Sequence, residues 1–168
     1  MNHQSATATQ PESQTQIGLE KEHSTELAKK LNTLLANYSI LYQNTRGYHW
    51  NLEGNKFFEL HLKFEELYLG LNAKIDEIAE RIATIGFVAN HNFSTYIQES
   101  KVVENVHVKD GMVAVKDILD SFKIIIAQQR EILAFADEMG DEGTYTLMSD
   151  TIKEQEKIVR MYTAYLGK

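Results

Sequence analysis

Two histidines and three carboxylates recur at helical spacing in the first half of this 168-residue sequence. They are His49, His61, Glu65, Asp76 and Glu80. The last four share one face of a helical pattern that runs from about 57 to 85, at ~100° per residue. Asp76 and Glu80 lie one turn apart, where like charges repel, and that face carries no Lys or Arg. Because unpaired carboxylates are costly to bury, the pattern favours a bound metal ion.

The five side chains would give a metal ion a mixed nitrogen and oxygen donor set. Such a set suits Fe(II), Mn(II) or Zn(II) better than Cu(I) or calcium. Open positions on a bound iron would permit its oxidation by O₂ or hydrogen peroxide. The ordinary alternatives are a solvated helix flank for the carboxylates and a core position for His49, which lies in an apolar stripe.

The elements around these residues must bring the two histidines together. A first helix is predicted over 24–51, with Ser24 near its capped start. Asn-Leu-Glu-Gly-Asn at 51–55 reads as a tight turn before the second helix. His49 and His61 are symmetric about this turn, so we expect them to face each other at one end of a helical hairpin.

Asp76 and Glu80 cannot reach that site within one chain, because residues 61 and 76 are about 22 Å apart along a helix. An antiparallel pairing of the second helix with its own copy solves this problem. A two-fold axis between 70 and 71 brings His61 level with the partner subunit's Glu80, and Glu65 level with the partner subunit's Asp76. The apolar residues of the same face would form the seam: Leu62, Leu69, Ala79 and Ala83. The spacing therefore predicts a site shared between subunits.

The rest of the chain supports a helical bundle. A third helix follows Gly111, and a last helix follows a turn bracketed by Gly140 and Gly143. The connection over 87–110 is long and could hold one short helix around 94–100. Four helices with one long crossover between the second and third are typical of the ferritin-like topology, so the predicted fold class is all-α.

The predicted domain organisation is a flexible tail over 1–20 and one ferritin-like domain over 21–168. The net charge of −7 argues against a protein that binds nucleic acid by neutralising phosphates. The sequence has no cysteine, which excludes thiolate metal sites and fits a reducing compartment. No apolar run approaches the ~18 residues of a membrane span, and no secretory signal is recognisable. We therefore expect a cytoplasmic protein without a membrane partner.

Three segments of the sequence resemble the Dps family, the miniferritins also called DNA-binding proteins from starved cells. They are Arg-Gly-Tyr-His-Trp-Asn at 46–51, Phe-Phe-Glu-Leu-His at 57–61 and Asp-Glu-Ile-Ala-Glu-Arg-Ile at 76–82. The resemblance implies a four-helix subunit and a hollow dodecamer built from two-fold dimers. It also implies ferroxidase centres between subunits, where Fe(II) is oxidised, preferentially by hydrogen peroxide, before storage as ferric mineral.

The resemblance extends to individual residues. It implies the iron ligands His49, His61, Asp76 and Glu80. Glu65 stands where the family usually has Asp, so this carboxylate reaches one methylene further. Trp50 matches the aromatic residue beside the centre in the family.

Two further properties of the family depend on charge. Its DNA binding usually needs a terminal extension rich in Lys and Arg, whereas the first basic residue here other than His is Lys21. We therefore expect no DNA binding at neutral pH. Its ion pores use acidic residues near the turn before the last helix, which makes Asp141 and Asp150 candidates for pore residues. Acids near a helix N-terminus are the ordinary alternative.

Two rival interpretations remain open. A conventional di-iron enzyme would place Glu-x-x-His motifs on central helices, and such motifs occur at 20–23 and 104–107, outside the predicted long helices. The second rival is a non-enzymatic oligomeric scaffold or DNA-compacting protein whose metal site is inert or filled with zinc.

Overall fold

The computed structural model describes residues 13–167, and within them the fold is entirely helical apart from isolated β-bridges. The five helices are α1 (Lys21–Asn51), α2 (Phe57–Thr84), α3 (Phe93–Glu99), α4 (Gly111–Glu138) and α5 (Glu142–Tyr165). The predicted all-α bundle, with a long crossover and a short extra helix between its second and third long helices, is confirmed.

The four long helices pack as two hairpins, α1 with α2 and α4 with α5, and α1 also contacts α4. Each helix buries one apolar stripe with residues three or four positions apart, as an amphipathic helix requires. The buried stripe of α2 contains Leu60, Phe64, Leu67, Leu71, Ile78 and Ile82. These side chains join one core with large apolar residues of the other helices, including Leu31, Tyr38, Phe122 and Met148. The core fixes how α2 is rotated about its axis, and thereby which of its side chains point away from the bundle.

Two helix boundaries differ from the sequence-based expectation. α1 begins at Lys21, and Ser24 is a buried residue inside it whose hydroxyl donates to the Glu20 carbonyl at 2.7 Å. Gly143 lies inside the first turn of α5 rather than at the edge of the preceding turn. Asp141 is the N-cap of α5, a position at which Asp is favoured at least as much as Gly.

The predicted flexible tail over 1–20 is described only from residue 13 onward; residues 1–12 lie outside the described part of the chain. Residues 15–18 form a turn in which the Gly18 amide donates to the Thr15 carbonyl at 3.0 Å. The Lys21 amide donates to the Ser13 carbonyl at 2.9 Å. This part of the predicted tail therefore folds back on the start of α1.

Three asparagines of α1 hold the crossover between α2 and α4. Asn37 Oδ1 accepts hydrogen bonds from the amides of Lys101 and Val102, at 2.7 and 3.2 Å. Asn32 and Asn44 each bind one amide and one carbonyl of the crossover, at 2.8 to 3.3 Å. A side-chain amide can satisfy backbone groups in this way, so the crossover has a defined path without a long helix of its own.

None of the helices within residues 13–167 combines the length and the apolar character needed to cross a membrane.

Candidate metal centre

The loop between α1 and α2 brings His49 and His61 together. α1 ends at Asn51, where the Leu52 amide donates to the Tyr48 carbonyl at 3.0 Å. Gly54 has a φ of 100°, a left-handed conformation that suits glycine in a tight turn. His49 thus lies in the last turn of α1, and His61 lies in the second turn of α2.

The start of α4 packs against this loop. The Glu53 amide donates to the Lys109 carbonyl at 3.0 Å. A Cβ on Gly111 would lie only 2.4 Å from Leu60 Cδ1 and 3.2 Å from Leu52 Cδ1. Glycine therefore permits a close approach of α4 that holds the end of the α1–α2 hairpin in place.

The two histidines form a reciprocal pair. His49 Nδ1 lies 2.8 Å from the His61 carbonyl oxygen, and His61 Nδ1 lies 2.9 Å from the His49 carbonyl oxygen. Because a carbonyl oxygen only accepts, each Nδ1 must carry a proton and donate. The Nε2 of each neutral imidazole then keeps its lone pair, which is the arrangement that a metal-binding histidine needs.

Aromatic rings enclose this pair. The two imidazoles stack with centroids 3.8 Å apart and an interplanar angle of 17°. Phe57 stacks on His61 at 4.9 Å, and Tyr68 presents an edge to His49 at 5.4 Å. His49 is 9% exposed. Packing on several sides restricts the rings to one orientation, and this restricts where a metal ion could bind.

The three carboxylates lie on the same face of α2 but are not gathered around the histidines. Glu65 is partly buried one turn after His61, whereas Asp76 and Glu80 are exposed further along the helix. Within the described residues of this single chain, no group of three or more potential ligands could hold a metal ion. The structure therefore brings the two histidines together and leaves Asp76 and Glu80 apart from them.

The carboxylates on two faces of α2 differ in whether they form ion pairs. On the solvent face, Glu66 pairs with Lys63 at 2.6 Å and Glu77 pairs with Lys74 at 3.0 Å. Among the ion pairs of residues 13–167, none includes Glu65, Asp76 or Glu80. Large apolar side chains also lie exposed on the carboxylate-bearing face, with Leu62 at 59% and Leu69 at 58%. This face therefore combines unpaired acids with uncovered apolar surface.

Arg81 has the helical phase of the solvent face of α2, but it lies in a largely buried ion pair with Asp141. Arg81 Nη2 donates to Asp141 Oδ1 at 2.5 Å, and Arg81 Nε donates to Thr144 Oγ1 at 2.9 Å. Asp141 is 3% exposed and also accepts from the Thr144 amide as the N-cap of α5. Asp141 is therefore buried and paired within the single chain, and its interpretation as a pore residue stays a prediction. Asp150 is exposed, so its pore role stays a prediction.

Trp50 follows His49 at the end of α1 and is 56% exposed. The Arg46 guanidinium lies 4.6 Å from its ring centroid, a cation–π distance. Sequence reasoning missed Phe57 and Tyr68 as neighbours of the histidines. Tyr68 lies seven residues after His61, two turns along the same face, and this spacing could have identified it.

The Glu-x-x-His motifs do not form a second centre. His23 lies 3.8 Å from Glu20 at the exposed start of α1, and His107 lies in the crossover with a φ of 59°. The middle of the bundle instead holds Tyr38, whose hydroxyl contacts the side-chain amides of Gln129 and Gln155. The described interior therefore has neutral polar groups where a conventional di-iron site would need carboxylates.

Comparisons with known proteins show which family has this helical arrangement. Residues 28–168 match the ferritin-like domain family. The DNA protection during starvation protein of Porphyromonas gingivalis is 39% identical, over 90% of this chain and 95% of that protein. The chain belongs to the Dps family of ferritin-like proteins. An uncharacterized protein of Haemophilus influenzae is 51% identical over 90% of this chain and 95% of its own length.

Solved structures agree with this Dps assignment. The crystal structure of a Dps protein from Vibrio cholerae O1 superposes with a TM-score of 0.92 at 49% identity, covering 94% of this chain and 99% of that one. It is described as a member of a broad superfamily of ferritin-like diiron-carboxylate proteins. A Dps protein from Bacillus brevis superposes with a TM-score of 0.84 at 30% identity, covering 88% of this chain and 99% of that one.

Proposed function

We propose that this Dps protein oxidises and stores iron. Fe(II) binds at ferroxidase centres between subunits, is oxidised preferentially by hydrogen peroxide, and is stored as ferric mineral inside a hollow dodecamer built from two-fold dimers. The protein thereby removes both reactants of hydroxyl-radical formation and protects the cell from oxidative damage. We expect it to act in the cytoplasm as an oxidoreductase on metal ions.

The observation that carries this proposal is the reciprocal histidine pair beside an unpaired acidic face. Each imidazole has its Nδ1 proton fixed by a backbone carbonyl, which leaves Nε2 of His49 and of His61 free to bind a cation. Glu65 adds an oxygen donor from the same helix. A mixed set of imidazole and carboxylate ligands suits Fe(II).

The partner chain supplies the remaining acids in this proposal. Asp76 and Glu80 lie on the face of α2 that carries His61 and Glu65, and their positions mirror those of the other two about a point between residues 70 and 71. An antiparallel partner helix would therefore bring the partner subunit's Asp76 and Glu80 level with Glu65 and His61. Two such centres would form in each dimer.

In the proposed reaction, Fe(II) is a substrate and hydrogen peroxide is the electron acceptor. Two Fe(II) ions each lose one electron, and one peroxide molecule takes up both electrons with cleavage of its O–O bond. The carboxylates offset the positive charge of the ferric product, and the histidines hold the iron in place. Removing two electrons in one site avoids the one-electron reduction of peroxide that releases hydroxyl radicals.

Any protection of DNA would follow from this chemistry rather than from binding. The net charge is −7, and residues 1–20 contain no Lys or Arg. A shell of such subunits would repel a polyanion at neutral pH.

The test is the oxidation of Fe(II) by hydrogen peroxide in purified protein, followed by ferric absorbance. A variant with His49→Ala and Asp76→Ala should lose fast oxidation. The matched control carries His23→Ala and Asp120→Ala, which remove one histidine and one aspartate elsewhere on α1 and α4, and it should oxidise iron as fast as the unmodified protein.

Three outcomes would count against the proposal. Equal oxidation by the His49→Ala and Asp76→Ala variant would refute the assigned centre. A correctly assembled oligomer that shows no iron-dependent turnover would favour the rival scaffold, with an inert or zinc-filled site. A monomeric mass in solution would remove the shared site altogether.

A further inference from the structure

The first turn of α2 lacks the capping that the next two long helices have. α4 and α5 each begin after an aspartate, Asp110 and Asp141, whose side chain accepts hydrogen bonds from amides of the first turn. α2 begins after Lys56, whose side chain makes no such bond and whose positive charge is unfavourable at a helix N-terminus. Because helix ends fray, this turn depends on other contacts to stay in place.

The end of α5 supplies such a contact. Tyr165, the last residue of α5, donates its hydroxyl to Glu59 Oε1 at 2.5 Å, across 106 positions of sequence. Lys56 Nζ lies 3.1 Å from the same Glu59 oxygen and 5.6 Å from the centroid of the Tyr165 ring. We call Lys56, Glu59 and Tyr165 the α5 clamp. A hydroxyl that donates to a carboxylate forms a stronger hydrogen bond than one between neutral groups, so Tyr165 joins the two helices firmly at this point.

The α5 clamp lies where α2 and α5 are otherwise poorly joined. The two helices lack the close packing that joins α1 to α2 and α4 to α5. A groove of about 520 Å³ lies between them, with Glu59 on one side and Met161 and Tyr165 on the other. The neighbouring contact, from the Tyr162 hydroxyl to the Lys63 carbonyl, is long at 3.4 Å. At this end of α2, little else can therefore compensate when the clamp is removed.

The turn held by the α5 clamp also supports His61. Phe57 lies between Lys56 and Glu59 in the sequence, and its ring stacks on the His61 imidazole with centroids 4.9 Å apart and an interplanar angle of 21°. His61 follows Glu59 by two residues. Movement of the first turn would therefore shift the imidazole and the ring stacked on it, whereas a metal site tolerates a displacement of only about 0.5 Å.

We propose that Tyr165 is a positioning residue for the metal centre. Its hydroxyl holds Glu59, which fixes the first turn of α2 and keeps Phe57 stacked on His61. The role is indirect, since the hydroxyl contacts Glu59 and the ring faces Lys56. This inference rests on the proposed function, because it assigns Tyr165 a role only if His61 binds a metal ion.

The test is the binding of Co(II) by the purified oligomer under argon, measured by calorimetry and by visible absorption. Co(II) alone serves as the probe because it accepts nitrogen and oxygen ligands and its spectrum reports them. A His61→Ala variant defines the binding that does not involve the centre. Tyr165→Phe keeps the ring but removes the hydroxyl. It should weaken the histidine-dependent binding about 10-fold, the lower end of the cost of losing an outer contact of a metal site.

Tyr162→Phe is the matched control. It removes a hydroxyl one turn earlier on the same helix, where the contact with the Lys63 carbonyl is long. This variant should bind Co(II) as tightly as the unmodified protein. Equal weakening by the two substitutions would indicate a general loosening of α5 and would overturn the inference.

A double-mutant cycle tests whether Tyr165 acts through Glu59. Glu59→Leu retains a similar helix propensity but removes the hydrogen-bond acceptor. Adding Tyr165→Phe to Glu59→Leu should weaken Co(II) binding no further, because both changes break the same contact. Losses that add up would contradict the proposed route from Tyr165 to the centre.

Hydrogen exchange separates positioning of the centre from anchoring of the helix. In Tyr165→Phe, the amides of residues 58–61 should exchange faster, while those around Ile78 stay protected. Faster exchange with unchanged Co(II) binding would show that the clamp holds the helix but not the centre, and would overturn the inference.

Failure of this inference is distinguishable from failure of the proposed function. If His61→Ala binds Co(II) as tightly as the unmodified protein, the assigned centre is refuted, and the positioning role of Tyr165 is refuted with it. If His61→Ala loses the site and Tyr165→Phe keeps it in full, only the positioning role is overturned.

Discussion

Replacing Asp141 with Asn should destabilise the protein by about 3 kcal/mol, the lower end of the cost of removing one partner from a buried ion pair. Asp141 is 3% exposed and receives Arg81 Nη2 at 2.5 Å. An Asn caps a helix as well as an Asp does, so the capping contribution at the start of α5 is retained. The loss therefore reports the charge of Arg81, which would remain largely buried without a counter-ion.

The assay is urea unfolding followed by circular dichroism, at one protein concentration because oligomers gain stability by mass action. Asp110→Asn is the matched control, since Asp110 caps α4 through the amides of Met112 and Val113, both at 2.9 Å, but is exposed and forms no ion pair within residues 13–167. It should change the free energy of unfolding by less than about 0.5 kcal/mol. Equal effects of the two substitutions would refute the structural role given to the Arg81–Asp141 pair.

Three further predictions concern the same bundle. Gly143→Ala places a Cβ within 2.8 Å of the Arg81 guanidinium and should cost about 1–3 kcal/mol in urea unfolding, whereas Gly47→Ala, a helical site with free space, should not destabilise. Burial raises the pKa of Tyr38, and burial together with the hydrogen bond to a carboxylate raises the pKa of Tyr48. Because the unfolded chain loses these two protons at a lower pH than the folded protein, the folded state keeps its full stability below the ordinary tyrosine pKa of about 10 and should lose stability as the pH rises above it. Alkaline titration of phenolate absorbance should therefore show Tyr38 and Tyr48 ionising only when the protein unfolds. Asn37→Ala should leave the crossover amides of Lys101 and Val102 without their acceptor, and should speed their hydrogen exchange while the α2 core stays protected.

The long helices could be predicted from the sequence because each carries a clear apolar period. The buried stripe of α2, from Leu60 to Ile82, follows from that period alone. The histidine pair could also be predicted, since symmetry of His49 and His61 about a short turn requires no knowledge of distant packing. The structure adds the reciprocal Nδ1 contacts, which no spacing rule specifies.

Except for Ser24, whose contact is local, the misplaced residues share one physical cause, which is contact with a distant part of the chain. Arg81 has the helical phase of a solvent residue, but Asp141, sixty positions later, buries it. Ser24 resembles a cap, yet its hydroxyl donates to a backbone carbonyl within a helix that begins earlier. The asparagines that hold the crossover look like ordinary polar residues of α1, because their partners lie more than fifty positions away.

The candidate ligands Asp76 and Glu80 show a different limit on prediction from a single sequence. The exposure of Asp76 and Glu80 in a single chain follows from the helical phase, but the role proposed for them depends on a second copy of the protein. The exposed side chains of Leu62 and Leu69 on the same face are the observation that favours the proposal of such a copy.

The most direct test of a shared centre is complementation between two inactive variants, His61→Ala and Asp76→Ala. If the centre takes His61 from one chain and Asp76 from the other, a mixed dimer contains one doubly damaged centre and one intact centre. Random mixing of the two variants by co-expression should therefore restore about one quarter of the peroxide-dependent ferroxidase activity. If both residues served the same chain, every centre would stay damaged, and a mixture as inactive as each variant alone would contradict the account.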